Sequence, residues 1–246
     1  MTSTEEVAPG VRRLGSRWVN WYLLEGPDGL TAVDAGLPAH RRSLPALLDR
    51  LGGAGGRIEN VVLTHWHPDH TGCAEWIRSR FGATVWAPRA EAGVVRGEEK
   101  AKSPNFVPYV WRPAVLRYVA SVVREGALRP KPVGAVEPYD PEETELPNGL
   151  RALATPGHTH GHCSLLHEER GILFCGDALT MVNLLTRQAE PRALPRALAY
   201  DNDAVLRSLE RLEEVDAGVA LPGHGEPWRE GAGRAARLAR EAGVPS

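Results

Sequence analysis

The run Thr64-His65-Trp66-His67-Pro68-Asp69-His70 puts four side chains of metal-ligand type into six positions. Imidazole nitrogens and carboxylate oxygens are the donors that zinc and its neighbours take. His65 and His67 stand two apart directly after the apolar run Val61-Val62-Leu63. In extended backbone, residues i and i+2 project to the same side, so both imidazoles can reach one ion. Pro68 then turns the chain, and Asp69 with His70 can face a second position. The pattern H-x-H-x-D-H arises by chance in roughly 4 of 10,000 shuffles of this composition, which sets metal binding well above a cluster of solvated loop histidines.

Three further positions repeat one local grammar: a short apolar strand, a glycine and a ligand. They are Thr155-Pro156-Gly157-His158, Phe174-Cys175-Gly176-Asp177 and Leu221-Pro222-Gly223-His224-Gly225. Val33-Asp34-Ala35-Gly36 is a fourth case, again a carboxylate between a strand and a glycine turn. Loops at strand ends are where a rigid sheet presents functional groups, and glycine lets backbone approach a small site closely.

The elements that must hold these residues alternate strand with helix. Trp18–Leu24 and Leu30–Val33 flank Gly26-Pro27-Asp28-Gly29 and predict a hairpin. Arg41–Leu51 has apolar residues at 44, 47, 48 and 51, a helical period that stops at Gly52-Gly53. Ala74–Phe81 predicts a helix ended by Gly82, and Thr84–Ala87 the next strand. Arg151–Ala154, Ser164–Leu166 and Ile172–Cys175 predict strands. Asp203–Val215 predicts a helix capped by Asp201 or Asn202, leading into strand Gly218–Leu221. Strand–helix alternation in both halves implies an α/β protein with helices on the outer faces of central sheets.

Composition sets the boundaries. At 246 residues, 42% hydrophobic and 24% charged, the chain suits one globular domain over residues 1–246 that needs no metal merely to fold. A net charge of -2 argues against a nucleic-acid partner. Three cysteines at unrelated spacings fit a reducing compartment. The opening MTSTEEVAPG lacks the regions of a secretory signal and no apolar stretch is long enough to span a membrane, so a cytoplasmic location is expected. The near-neutral average conceals a segment: Arg96 to Lys131 carries eight basic and three acidic residues, and Pro132 to Asn148 five acidic and no basic one. Residues 96–148 therefore stand out as an insertion.

With these motifs in place, the chain resembles the metallo-β-lactamase superfamily from Trp18 to about Trp228. The resemblance implies a four-layer αβ/βα sandwich with a helical insertion near the active site and two divalent metal ions, most simply Zn²⁺, with Fe or Mn as alternatives. By the family's pattern His65, His67 and His158 ligate the first metal, and Asp69, His70 and His224 the second. Asp177 bridges them, and Asp34 orients the ligand loop. Such a centre would lower the pKa of a shared water from about 15.7 towards 7 and polarise a substrate oxygen. Asp69 is then the catalytic residue that orients the nucleophile and carries its proton. The antibiotic-degrading branch carries a cysteine where this chain has Asp177, or lacks the bridging carboxylate. The basic glutathione-binding signature of glyoxalase II is not apparent after Asp177, and the tyrosine that lactonases often place three residues later is Thr180 here. The resemblance thus implies a hydrolase of thioesters, esters or lactones. A mononuclear-iron persulfide dioxygenase, using His65, His158 and Asp177, is the alternative, and a non-catalytic metal- or ligand-binding protein a further one.

Within the insertion, Pro113 at a helix start, Gly126 beyond its end and apolar residues at 115, 116, 119, 122 and 123 predict a helix. Arg117, Ser121 and Arg124 share its other face and either meet an anionic substrate or are simply solvated. Phe106, Tyr109, Trp111 and Tyr118 would give this lid an aromatic inner wall suited to an acyl or aromatic group. Among the other histidines, His162 is expected to be structural, His160 exposed, and His40 and His167 surface turn residues. Cys163 and Cys175 are expected in core strands, and packing is the simplest role for Cys73.

Overall fold

The computed structural model describes residues 3–51, 56–100, 105–129 and 131–245. The chain divides into two compact units. One comprises Met1–Lys100, Ser121–Tyr139 and Leu146–Asn148, and the other Ala101–Ala120, Asp140–Glu145 and Gly149–Ser246.

The first unit is built on a seven-stranded sheet in sequential order. β1 (Ser3–Ala8), β2 (Val11–Gly15), β3 (Asn20–Gly26) and β4 (Gly29–Val33) pair antiparallel, and β5 (Ile58–Val62), β6 (Thr84–Pro88) and β7 (Glu137–Tyr139) continue parallel to β4. The expected hairpin forms as β3 and β4, closing at the Gly26–Gly29 pair. Buried Asn148 clips its turn, donating Nδ2–H to Gly29 O and Thr31 Oγ1 and accepting from Asp28 N at 2.9 Å each. Parallel strands need crossovers, and helices supply them. α1 (Leu44–Leu51) buries Leu44, Leu47 and Leu48, each worth roughly 1.5–3 kcal/mol of apolar burial. α3 (Ala74–Phe81) packs on β5 and β6 and stops at Gly82, whose φ of 73° is the left-handed cap the sequence implies. The Gly52-Gly53 stop of the first helix lies outside the described residues.

Two short helices complete this unit, α2 (Pro68–Thr71) and α4 (Arg89–Val95). Their core joins Leu14, Trp21, Leu23, Val61, Ile77 and Val85.

The second unit holds a four-stranded sheet, ordered β11-β10-β9-β8. β8 (Arg151–Ala154), β9 (Cys163–His167) and β10 (Ile172–Gly176) are antiparallel, and β11 (Val219–Pro222) lies parallel to β10. The crossover to β11 is α6 (Asn202–Glu213), and Asp201 caps it by accepting from the backbone N–H groups of Asp203 and Ala204. α7 (Ala232–Ala242) follows and packs on α6 with a face of Ala232, Ala235, Ala236 and Ala239. The insertion helix is α5 (Pro113–Arg124), whose first eight residues belong to this unit and last four to the other.

Several details depart from expectation. β1 and β2 are an unpredicted hairpin at the sheet edge, polar enough to hide the strand signal. On α5, Val115, Tyr118 and Val122 are buried, whereas Leu116 and Val123 are exposed. His40 and His167 are buried, not surface residues. His40 accepts from Leu37 N–H through Nδ1 and reaches Glu125 Oε2 at 3.0 Å through Nε2, joining a turn after β4 to the segment following α5. His167 ends the interior strand β9, and desolvation there lowers its pKa. Among the described residues no helix is long and apolar enough to cross a membrane.

Candidate metal centre

Each ligand-type residue lies just beyond the carboxyl end of a strand, in a loop or, for Asp69 and His70, in the short helix α2, the position from which sheets commonly present functional groups. In the first unit, the backbone of Asp34 follows β4 and the His65–His70 loop follows β5. β5 ends at Val62, so His65 lies in the loop, three residues beyond the strand end and two beyond Leu63. Leu63 is held on both sides: its N–H donates to Trp86 O at 2.9 Å and its carbonyl accepts from the buried Tyr139 hydroxyl at 2.8 Å.

Asp34 is the organiser of this loop. Its backbone takes the left-handed conformation (φ 60°), which a short polar residue tolerates, and its N–H donates to Val62 O at 2.9 Å. Its carboxylate accepts from Thr64 N–H at 2.8 Å, from the Thr64 hydroxyl at 3.0 Å and from His70 Nδ1 at 2.7 Å. The Thr64 hydroxyl has one proton, and Asp34 takes it. The contact of Thr64 Oγ1 with His65 Nδ1 at 3.0 Å must therefore be donation from the ring. Both His65 and His70 thus carry their proton on Nδ1 and keep the Nε2 lone pair for a ligand role. His67 turns Nδ1 toward His65 Nε2 at 3.1 Å, and the rings of His65 and His70 lie 4.1 Å apart. His65, His67 and His70 are buried, and Asp69 beside His70 in α2 is half-buried. This set of imidazole nitrogens with a neighbouring carboxylate fits a divalent cation of the zinc type.

Sequence reasoning missed one member of this arrangement. Glu91, on α4 and 2% exposed, accepts from Trp66 N–H at 2.9 Å and so holds the residue between the two histidines. A single acidic residue 25 positions along carries no local signature of that role. Trp66 itself is partly buried against the core, its ring 4.4 Å from that of His67.

The second unit holds its own ligand-type cluster, His158, Asp177 and His224, all buried. His158 Nε2 and His224 Nε2 both face the same carboxylate oxygen, Asp177 Oδ2, at 3.4 Å and 3.2 Å. Two buried imidazoles thus converge on one carboxylate oxygen. His162 has the structural role expected of it. Asp177 N–H donates to His162 Nε2 at 2.9 Å, so the His162 proton is on Nδ1 and goes to Thr155 Oγ1 at 2.9 Å. Thr155 then donates to Ser164 Oγ at 3.1 Å and Ser164 to Cys175 O at 3.1 Å. This relay fixes the backbone of Asp177 from β8, β9 and β10 together.

Two glycines let the ligand loops close. Gly157 has φ 133°, and a Cβ there would stand 2.4 Å from Val205 N; at Gly225 (φ 100°) it would stand 2.6 Å from the Met181 carbonyl carbon. Beside His224, the ring of Tyr118 is edge-on at 5.9 Å, and Phe106 packs on Tyr118 with ring centres 5.9 Å apart. Phe106 and Tyr109 pack with Val115, Leu184 and Leu194, as expected for the inner wall. Trp111 does not: it is 71% exposed, under the Arg112 guanidinium at 4.7 Å. Arg117 and Arg124 are exposed, as a solvated face requires. The Thr180 hydroxyl is turned onto the Val182 and Arg192 carbonyls at 3.1 Å. His160 is exposed beside Tyr200, and all three cysteines are free and buried. Burial pushes the Cys73 thiol up to about 12, and its Sγ donates to Leu37 O at 3.1 Å, which makes it a packing residue.

The family profile described as the metallo-beta-lactamase superfamily matches residues 16–224. A protein of Bacillus subtilis described as a probable metallo-hydrolase is 27% identical over 233 residues, covering 90% of this chain and 86% of its own. A hydroxyacylglutathione hydrolase of Thiobacillus denitrificans is 35% identical over 148 residues, 60% of this chain but 41% of that enzyme. Among solved structures, a metallo-beta-lactamase family protein of Thermus thermophilus superposes with a TM-score of 0.67 at 30% identity, covering 96% of this chain and 80% of that one.

Proposed function

The chain belongs to the metallo-beta-lactamase superfamily, and from that premise we propose that it is a dinuclear metallo-hydrolase acting on thioester, ester or lactone carbonyls. The mixed α/β fold is that of the family, and its relatives are metallo-hydrolases. Within that reading His65, His67 and His158 hold one divalent ion, Asp69, His70 and His224 a second, and Asp177 both. The observation that carries it is the Asp177 carboxylate, buried and met at one oxygen by two imidazoles. When bound, a pair of divalent cations, most simply zinc, supplies Lewis acidity to the substrate carbonyl and lowers the pKa of a water.

The chain's own residues do the rest. Asp34 and Thr64 hold His70 and His65 in the tautomers that present Nε2. His162 fixes Asp177 through its backbone N–H. Asp69, the most exposed of the seven, takes up the proton released by the nucleophile at its carboxylate oxygen and returns it to the leaving group. In the segment of residues 96–148, Tyr118 lies against His224 and Phe106 packs on Tyr118, which suits an acyl or aromatic small-molecule substrate. The likeness to a hydroxyacylglutathione hydrolase supports an acyl carbonyl. Three buried free thiols fit a reducing, cytoplasmic setting.

A hydrolysis panel of thioesters, lactones and aryl esters on zinc- and manganese-loaded protein, with elemental analysis, tests the proposal. The expected result is about two metal ions per chain and turnover of one of these classes. Asp69→Asn should cut kcat by about 10²–10⁴-fold, the usual range for a positioned acid–base group, while retaining the fold. One iron per chain with no hydrolysis would transfer the reading to a persulfide dioxygenase.

A further inference from the structure

We infer that the first unit carries an oxyanion-binding groove, distinct from the proposed ligand set, for a phosphate-class group. A cleft of about 160 Å³ is lined by Pro38, Arg41, Gly72, Glu75, Trp76, Ser79, Arg129 and Lys131. Whole drug-sized ligands occupy roughly 300–1,000 Å³. This cleft therefore suits one anionic group, or the anionic end of something larger.

The donors are three cations brought from two separate segments, the turn after β4 and the chain beyond α5. The one lining carboxylate, Glu75, is already engaged: it accepts from Arg78 Nε and Nη2 at 2.8 and 3.0 Å and from Gly134 N–H at 2.9 Å. Those bonds, with Lys131 acting at longer range, hold its pKa below the ordinary carboxylate value, so it stays charged while its charge is offset mainly by Arg78 and in part by Lys131. Among the described residues no carboxylate lies within ion-pair distance of Arg41, Arg129 or Lys131. The Ser79 hydroxyl donates to Glu75 O at 2.8 Å and the Gly72 N–H to Gly36 O at 2.8 Å. Neither is left for a ligand, and recognition falls to the cations. Two guanidiniums and one ammonium around a cleft of this size match a tetrahedral dianion: the guanidiniums offer paired N–H donors and the ammonium a point charge. Trp76 adds an aromatic side chain to the lining.

The metal-loaded full chain is titrated with inorganic phosphate and then pyrophosphate at low ionic strength, by calorimetry. The expected result is saturable binding of one anion per chain that weakens as sodium chloride is raised. In the R41Q/R129Q/K131Q variant the dissociation constant should rise at least tenfold while metal content is unchanged. Replacing the exposed Arg117 and Arg124 instead should leave it unchanged. Absence of saturable binding overturns the proposal. Equal binding by the triple variant overturns it too, because the anion would then sit on the metal ions or elsewhere.

Discussion

At the residue scale, the decisive chemistry is which nitrogen of each histidine holds its proton. Asp34 sets this for His70 directly and for His65 through the Thr64 hydroxyl. Asp34→Asn keeps an acceptor oxygen and tolerates the left-handed backbone, but it removes the negative charge that makes both imidazoles better donors. Losing such an outer partner typically costs 10–100-fold in metal affinity, so D34N should weaken zinc binding by that order with secondary structure intact. Competition against a chromogenic chelator would measure it, and an unchanged affinity would remove Asp34 from the centre. The clustering of His65, His67, Asp69 and His70 was legible because the six positions are consecutive and the residue types are rare. Asp34 was legible through its strand–glycine setting. Glu91 was not, since its role depends on where α4 returns the chain and not on what surrounds it in sequence.

At the element scale, α3 and α6 were read to within two residues, whereas α1 starts at Leu44, three residues after the expected Arg41. α3 ends where Gly82 permits a left-handed residue, and α6 starts where Asp201 accepts from two N–H groups. β1 and β2 escaped because an edge strand can be polar on its open side, as Ser3–Ala8 is. Likewise, the apolar positions 116 and 123 of α5 suggested burial, yet this helix buries a narrower stripe through 115, 118 and 122. The cap of α6 matters beyond that helix, because the Asp201 N–H donates to Gly157 O beside His158. Asp201→Ala should cost about 0.5–2 kcal/mol of stability, the range for losing an N-cap acceptor. Urea denaturation would show this as a lower midpoint at constant slope. A change in slope instead would mean that the variant altered compactness and not the cap alone.

At the scale of the whole molecule, each unit has its own apolar core, one around Trp21 and Ile77 and the other around Leu173, Leu209 and the alanine face of α7. A chain of this length buries enough surface to fold without metal, so the proposed ions should add stability to an already folded protein. That separates two outcomes. Were metal structural in the zinc-finger sense, chelation would unfold the chain. With cores of this kind, chelation should leave far-ultraviolet circular dichroism unchanged and lower the melting temperature only by the binding energy lost. Free zinc at 100 times its dissociation constant contributes about 2.7 kcal/mol, which for a domain of this size is a shift of roughly 5–10 °C. The shift should reverse on adding zinc back and should be smaller in His67→Ala, which breaks the first of the two ligand sets. A melting temperature indifferent to chelator in the wild type would count against metal at these seven residues, because no ligand can bind the native state alone without stabilising it.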